Sequence, residues 1–241
     1  MTHYFLFGKT DQGLHRKKNE DTILVNEDKG FCLVADGIGG TAAGDVASQL
    51  FARTASDVFS MEQNPDGRES ERVKKTFLIA NDNILKYAKN NSACEGMGCT
   101  AELLALSDKQ YVLGHMGDSR AYRLRRGNLK QLTTDHSLVQ EQLEQGMITK
   151  EEAATHSFKN VILRAVGIKK NPTLDLLRGT LFPGDLFLLC SDGLTDMIED
   201  SLIKKHLVSK TDIRKKAEDL IHEANAHGGK DNVSVVLAQI L

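Results

Sequence analysis

Residues 100–132, TAELLALSDKQYVLGHMGDSRAYRLRRGNLKQL, decide the fold class. Four short apolar runs lie within it: Thr100 to Leu106, Tyr111 to Met116, Ala121 to Leu124 and Leu129 to Leu132. Turn clusters such as Ser107-Asp108-Lys109 and Arg125-Arg126-Gly127-Asn128 separate them, so the stretch reads as a meander of consecutive hairpins with antiparallel pairing. Upstream, Thr22 to Val25 turns through Glu27-Asp28-Lys29-Gly30 into Phe31 to Ala35, another hairpin. Downstream, strands are expected near Leu174 to Arg178, Leu186 to Cys190 and Val233 to Ile240. Between these groups the apolar spacing turns helical. Val46, Ala47, Leu50, Phe51, Thr54 and Val58 predict a helix over Thr41 to Phe59; Val73, Phe77, Ile79, Ile84, Leu85 and Ala88 predict a second over Glu69 to Lys89. Asn64-Pro65-Asp66-Gly67 reads as the turn between the two. A short helix from His136 to Glu144, with Asp135 as N-cap and Gly146 as stop, opens a polar, peripheral segment. Further helices are predicted near Leu194 to Met197, Ser201 to Val208 and Asp212 to Asn225. Antiparallel strands with long helices inserted between them imply an α+β fold of sheets packed face to face and covered by helices.

Composition narrows the function classes. The 241 residues are 40% hydrophobic and 27% charged, enough for one large domain, taken as residues 1–241. A formal net charge of −2 supplies no basic field for nucleic acid or anionic lipid. The N-terminal stretch Met1 to Gly8 lacks a basic leader region, and no segment approaches the roughly 20 apolar residues of a membrane span, so a soluble cytoplasmic protein is expected. Cys32 and Cys190 lie inside apolar runs and read as core thiols. Cys94 and Cys99 flank Glu95-Gly96-Met97-Gly98 but have no second ligand pair, so zinc is not expected.

The chemistry concentrates where apolar runs stop. Asp36 follows Phe31-Cys32-Leu33-Val34-Ala35, Asp118 follows Gly114-His115-Met116-Gly117, and Asp192 follows Leu186 to Ser191; Asp231 stands just before the run from Val233 to Ile240. Taken singly, an Asp-Gly pair is an ordinary turn. Repeated at strand ends, such carboxylates raise each other's pKa unless a cation intervenes, and a hard divalent ion with oxygen ligands is the natural counter-charge. Arg16, in Arg16-Lys17-Lys18-Asn19-Glu20-Asp21, is the residue type that holds a phosphate in bidentate fashion. One competing motif is present: Gly37-Ile38-Gly39-Gly40-Thr41-Ala42 fits the dinucleotide fingerprint, with Asp57 about twenty residues on. Asp57, however, falls in the helix that follows rather than at the end of a second strand. The glycines are better suited to let the backbone approach a metal, with the Gly37 carbonyl as a ligand.

Six motifs together resemble those of the metal-dependent (type 2C, or PPM) serine/threonine protein phosphatases. In chain order they are Arg16-x-x-Asn19-Glu20-Asp21, Val34 to Gly40, Met97-Gly98-Cys99-Thr100-Ala101, Gly117-Asp118-Ser119-Arg120, Ser191-Asp192-Gly193-Leu194 and Gly229-Lys230-Asp231-Asn232. The segment from about residue 136 to 167 is similar to the flap of the bacterial branch. The resemblance implies a four-layer α-β-β-α sandwich of two antiparallel sheets flanked by helices. It also implies hydrolysis of phosphoserine and phosphothreonine in proteins by a water activated between two Mg²⁺ or Mn²⁺ ions. Asp36 would bridge the ions, with Gly37 and Glu20 serving one and Asp192 and Asp231 the other. Asp118 with Asp192 would bind a third, weaker ion, Asp21 would support the water network, and Arg16 would orient the substrate phosphate. A monomer opposing a bacterial Ser/Thr kinase in signalling is the corresponding expectation; a non-catalytic phosphoprotein-binding module on the same fold is the alternative. One departure stands out. Ile38 occupies the place where many eukaryotic relatives carry a histidine that protonates the leaving alcohol, which leaves His115 and His136 as candidates by residue type alone.

Overall fold

A computed structural model describes residues 3–39, 43–61, 68–154 and 156–241. The first sheet has the order β1 (Tyr4–Asp11), β12 (Val233–Ile240), β11 (Leu186–Cys190), β8 (Arg120–Arg125), β9 (Asn128–Gln131). The second has the order β10 (Asp175–Thr180), β7 (Gln110–Met116), β6 (Ala101–Leu106), β3 (Phe31–Ala35), β2 (Thr22–Asn26). Neighbouring strands pair antiparallel throughout both sheets. A two-stranded ribbon of β4 (Gly37–Ile38) and β5 (Gly98–Cys99) lies beside them.

Strand periodicity explains the layering, because successive side chains point to opposite faces. From β3, Phe31, Leu33 and Ala35 pack under α1 (Gly44–Met61) and α2 (Glu69–Asn90), while Cys32 and Val34 face the other sheet. In β12 the alternation runs the same way: Val233, Val235 and Leu237 pack toward α5 (Asp192–Thr195), α6 (Asp200–Leu207) and α7 (Ile213–Ala226), and Val236, Ala238 and Ile240 fill the space between sheets. Strands covered on both faces are apolar on both faces, which is why the β3 run is continuous and β12 is interrupted only by Ser234 and Gln239. Helices outside and sheets inside give the four-layer α-β-β-α sandwich. The helix layer over the second sheet is pinned by aromatic pairs, Phe31 stacked on Phe59 at 4.2 Å between ring centroids and Phe51 edge-on to Phe77 at 5.0 Å. Such contacts add about 0.5–1.5 kcal/mol each beyond their buried area.

Two expectations need correction, and one strand was not anticipated. The stretch from 100 to 132 is not one meander: β6 pairs with β7 and β8 with β9, but β7 and β8 belong to different sheets. Gly117, with φ of 120°, lets the chain cross between sheets there, and a Cβ at that position would sit 2.5 Å from Thr100 Cβ. Asp118 is therefore carried on the crossover. Secondly, α3 (Leu138–Glu144) is capped by Ser137, whose Oγ accepts the Gln140 N–H at 3.2 Å. Asp135 is committed instead to Arg120, taking Nε at 2.9 Å and Nη2 at 2.7 Å. Finally, Tyr4–Asp11 forms a full edge strand in register with Val233–Ile240.

Between β9 and β10 the chain leaves the sandwich through α3 and α4 (Lys150–Ala154) and returns. Its two ends are joined: Leu163 N–H donates to the His136 carbonyl at 2.7 Å, Leu138 N–H to that of Val161 at 2.9 Å, and Val166 bridges to Cys99. The turn Asn64-Pro65-Asp66-Gly67 and residues Gly40, Thr41 and Ala42 lie outside the described residues. Among the described residues, no helix is long and apolar enough to cross a membrane.

Candidate metal centre

Antiparallel packing brings the C-terminal ends of β3, β7 and β11 to the same end of the sandwich as the start of β12. There a cleft of about 580 Å³ is lined by Arg16, Glu20, Asp36, Gly37, Asp118, Asp192 and Asp231, with Asn160 and Ile162 from the segment after α4. Seven of the eight residues singled out in the sequence thus meet on one surface. The eighth, Asp21, stands behind it, its Oδ2 accepting the Ser191 Oγ proton at 2.8 Å. A second cleft of similar volume lies beyond His136, and the acidic residues above do not line it.

Local structure holds each group in place. Asp36 N–H donates to Thr100 Oγ1 at 3.1 Å, and its carbonyl accepts the Thr100 N–H at 2.8 Å, which fixes the end of β3 against the start of β6. Gly37 and Gly44 touch backbone to backbone: a Cβ on Gly37 would lie 2.3 Å from the Gly44 carbonyl carbon and oxygen. A Cβ on Gly44 would lie 2.8 Å from both the Gly37 carbonyl oxygen and Glu20 Oε2. These two oxygens therefore border one cradle that only a pair of glycines leaves open. Arg16 Nη2 donates to Asp231 Oδ2 at 2.6 Å, so the guanidinium and the last carboxylate form one rim, with further N–H groups of the fork available.

Asn232 organises this rim, a role the sequence reading did not assign. Its Oδ1 accepts the Glu20 N–H at 2.8 Å, and its Nδ2 donates to the Gln12 and Lys18 carbonyls at 2.9 Å each. One side chain thereby ties the loop bearing Arg16 and Glu20 to the strand start bearing Asp231. Thr100, Ser119 and Ser191 were also missed; they are buried hydroxyls that anchor the main chain around Asp36 and the Asp21 carboxylate. A polar residue at the end of an otherwise apolar run was the available signal.

Electrostatics set the character of the cluster. Asp36 is held well above the usual carboxylate range by burial and then by the charges of Asp21, Asp192, Asp118 and Asp231. Asp192 is raised likewise, by burial and then by Asp118 and Asp231. Burial, followed by Asp135, pushes Asp118 up to about 7, and burial pushes Asp21 up to about 6 against hydrogen bonds from Ser234 and Ser191. Asp21 Oδ1, Asp118 Oδ1 and Asp192 Oδ1 are buried without a hydrogen-bond partner. Orphaned carboxylate oxygens repelling one another fit a divalent cation, and an all-oxygen set fits a hard one. Among the described residues no three His, Cys, Asp or Glu side chains are already gathered into a closed ligand set.

The competing readings find no support in the geometry. Gly37–Ile38 pairs antiparallel with Gly98–Cys99, Asp57 lies within α1, and α2 rather than a parallel strand follows. Neither His115 nor His136 lines the acidic cleft. Ile38 does line it.

The protein phosphatase 2C family profile matches residues 15–240. The chain belongs to that family. It is 39% identical over 238 residues to "Serine/threonine phosphatase stp" of Listeria monocytogenes, covering 96% of this chain and 94% of the relative. It is 36% identical over 234 residues to "Protein phosphatase PhpP" of Streptococcus pneumoniae, covering 96% and 95%. The solved catalytic domain of the serine/threonine phosphatase PstP, in complex with two manganese ions, superposes with a TM-score of 0.92 at 33% identity over the whole of both chains. PstP from Mycobacterium tuberculosis gives the same score at 34% identity, covering 99% of each. As a phosphatase 2C enzyme, the chain is a metal-dependent serine/threonine protein phosphatase acting on phosphoproteins; five of its six motifs line the acidic cleft and the sixth, Met97 to Ala101, supports it through the Thr100 bonds to Asp36.

Proposed function

We propose that this phosphatase removes phosphate from phosphoserine and phosphothreonine at the cleft between the two sheets, using Mn²⁺ or Mg²⁺. Asp36, Glu20, Asp192, Asp231 and the Gly37 carbonyl would hold two ions, with Asp36 shared between them, and Asp118 with Asp192 would hold a third, weaker one. Bound there, the ions supply a water that is nucleophilic at neutral pH and offset the charge developing on the phosphoryl oxygens. Arg16 orients the phosphate: its fork can keep the Asp231 bond on one nitrogen and present others to the substrate oxygens. Asp21, fixed by Ser191, supports the waters behind Asp36. Asn232 keeps the Arg16 loop and Asp231 in register. Among the described residues no histidine lines the cleft, and we assign proton transfer to the leaving alcohol to water.

The observation that carries this reading is the meeting of Asp36, Asp118, Asp192, Asp231 and Arg16 on one cleft in which buried carboxylate oxygens have no protein partner. We take residues 1–241 as one phosphatase domain, with residues 136–167 as its flap. A cytoplasmic monomer that reverses a bacterial Ser/Thr kinase completes the proposal. Phosphate release from a phosphothreonine peptide tests it. Chelator-treated protein should be inactive, added Mn²⁺ should restore turnover, and Asp192→Asn should abolish the restored rate. Turnover that ignores both metal and Asp192, or phosphopeptide binding without turnover under any divalent ion, rejects it.

A further inference from the structure

His136 is remote from the acidic cleft yet wired to it. Its backbone N–H donates to the Gly117 carbonyl at 2.7 Å, and its Nδ1 accepts the Gly117 N–H at 3.2 Å. Both backbone polar groups of the residue before Asp118 are thus taken by one histidine. The same residue closes the neck of the 136–167 segment, since its carbonyl accepts the Leu163 N–H at 2.7 Å and its neighbour Ser137 bridges to Ile162. At the far side of the ring, Nε2 faces Asp175 Oδ2 at 3.1 Å, beside Arg164 Nη1 at 3.2 Å.

These contacts fix the tautomer. A backbone N–H can only donate, so Nδ1 carries no proton and Nε2 gives its proton to Asp175. The ring is 7% exposed and lies 4.4 Å, centroid to centroid, from His115, which is itself held between Glu102 and the Thr134 carbonyl. Neither ring is free to turn. The clamp has something to restrain: Gly117 sits at φ 120°, a conformation with little intrinsic preference, and the Asp118 carboxylate that follows has one buried oxygen without a partner.

We propose that His136 is a positioning residue that fixes the Gly117-Asp118 turn to the neck of the flap, so that retention of the ion served by Asp118 depends on the neck staying closed. The inference rests on Asp118 being a ligand of the third ion. A change at the flap neck, such as loss of the Leu163 bond, reaches the Asp118 turn through His136 and Gly117.

The test compares His136→Leu, which removes the acceptor at similar size, with His136→Asn, whose Oδ1 can take the Gly117 N–H in place of Nδ1. Hydrogen exchange on chelator-treated protein reports the clamp, and Mn²⁺ calorimetry reports the ions, with Asp118→Asn as reference. In His136→Leu, the peptide covering Gly117 to Ser119 and that covering Leu163 should exchange faster. Its weakest Mn²⁺ site should lose roughly three- to tenfold in affinity, the span expected for one lost hydrogen bond, with the tight sites unchanged. His136→Asn should recover both properties. An Asn variant as defective as the Leu variant reduces His136 to packing and overturns the proposal, as does a Leu variant that binds the third ion like wild type. Wild-type protein with only two sites, indifferent to Asp118→Asn, refutes instead the assignment of Asp118 on which the inference stands.

Discussion

Asp118→Asn is expected to stabilise the metal-free phosphatase while weakening its hold on manganese. In the folded chain the Asp118 carboxyl is pushed from 3.8 up to about 7, by burial first and by Asp135 second. At about 1.36 kcal/mol per pKa unit, keeping it ionised at pH 7 costs about 4 kcal/mol. That net shift already includes its backbone hydrogen bond, and a buried amide keeps a desolvation cost of its own, so the amide should gain about 1–3 kcal/mol. In a chain of this length that corresponds to roughly 2–10 °C in Tm. The sign follows from proton binding. A carboxyl raised on folding binds more protons in the folded state between 3.8 and about 7, so its contribution is most favourable below that window and is lost as pH rises through it. Urea unfolding of both proteins in chelator, at pH 4 and pH 7.5, checks this. The two should differ little at pH 4, and the variant should be the more stable at pH 7.5. A variant less stable than wild type at pH 7.5, or a difference that ignores pH, refutes the claim that the carboxylates strain the metal-free fold.

Other expectations follow from single contacts. Asn232→Ala orphans the Glu20 N–H and the Gln12 and Lys18 carbonyls, so it should cost about 2–3 kcal/mol in urea unfolding and, by loosening the Arg16 loop, lower kcat/KM on a phosphopeptide by about tenfold or more. Gly37→Ala drives a Cβ to 2.3 Å from Gly44 backbone atoms that no rotamer can move; a loss of about 1–3 kcal/mol and of Mn²⁺ affinity by calorimetry should result. Burial lowers the His115 imidazole, but the adjacent Glu102 charge overrides it and raises the ring to about 9. Burial also raises the Glu102 carboxyl to about 7, so the pair binds extra protons on folding and stability falls as pH rises from about 4.5 toward 9, a fall in the urea midpoint that a His115→Leu/Glu102→Gln protein should not show.

The fold was legible where strands are covered on both faces. Phe31 to Ala35 and Leu186 to Cys190 are apolar at every position, and Val233 to Ile240 at all but Ser234 and Gln239, in runs too short and too bounded by turn residues for a helix. β1 escaped because it is an edge strand whose residues are mostly half-buried, which dilutes its pattern. The split between β7 and β8 escaped because hairpin rules are local, whereas the sheet that a strand joins is decided by distant partners, β10 for one and β11 for the other. The acidic residues of the cleft were visible because charge at the end of an apolar run is conspicuous. Asn232 was not: its three bonds reach residues 12 to 20, more than 200 positions away, and satisfy main-chain groups that leave no mark on the sequence. Glu102 and His115 are a middle case. They face each other in the register of β6 and β7, so alternation along the two strands could have paired them.

The most direct measurement is calorimetric titration of Mn²⁺ into chelator-treated protein, wild type against Asp36→Asn. Two tightly bound ions per chain in the wild type, lost when the bridging carboxylate becomes an amide, is the expected result. Wild-type protein that takes up no manganese, or an Asn variant that binds it as tightly, would contradict the assignment of this acidic cleft as a metal centre.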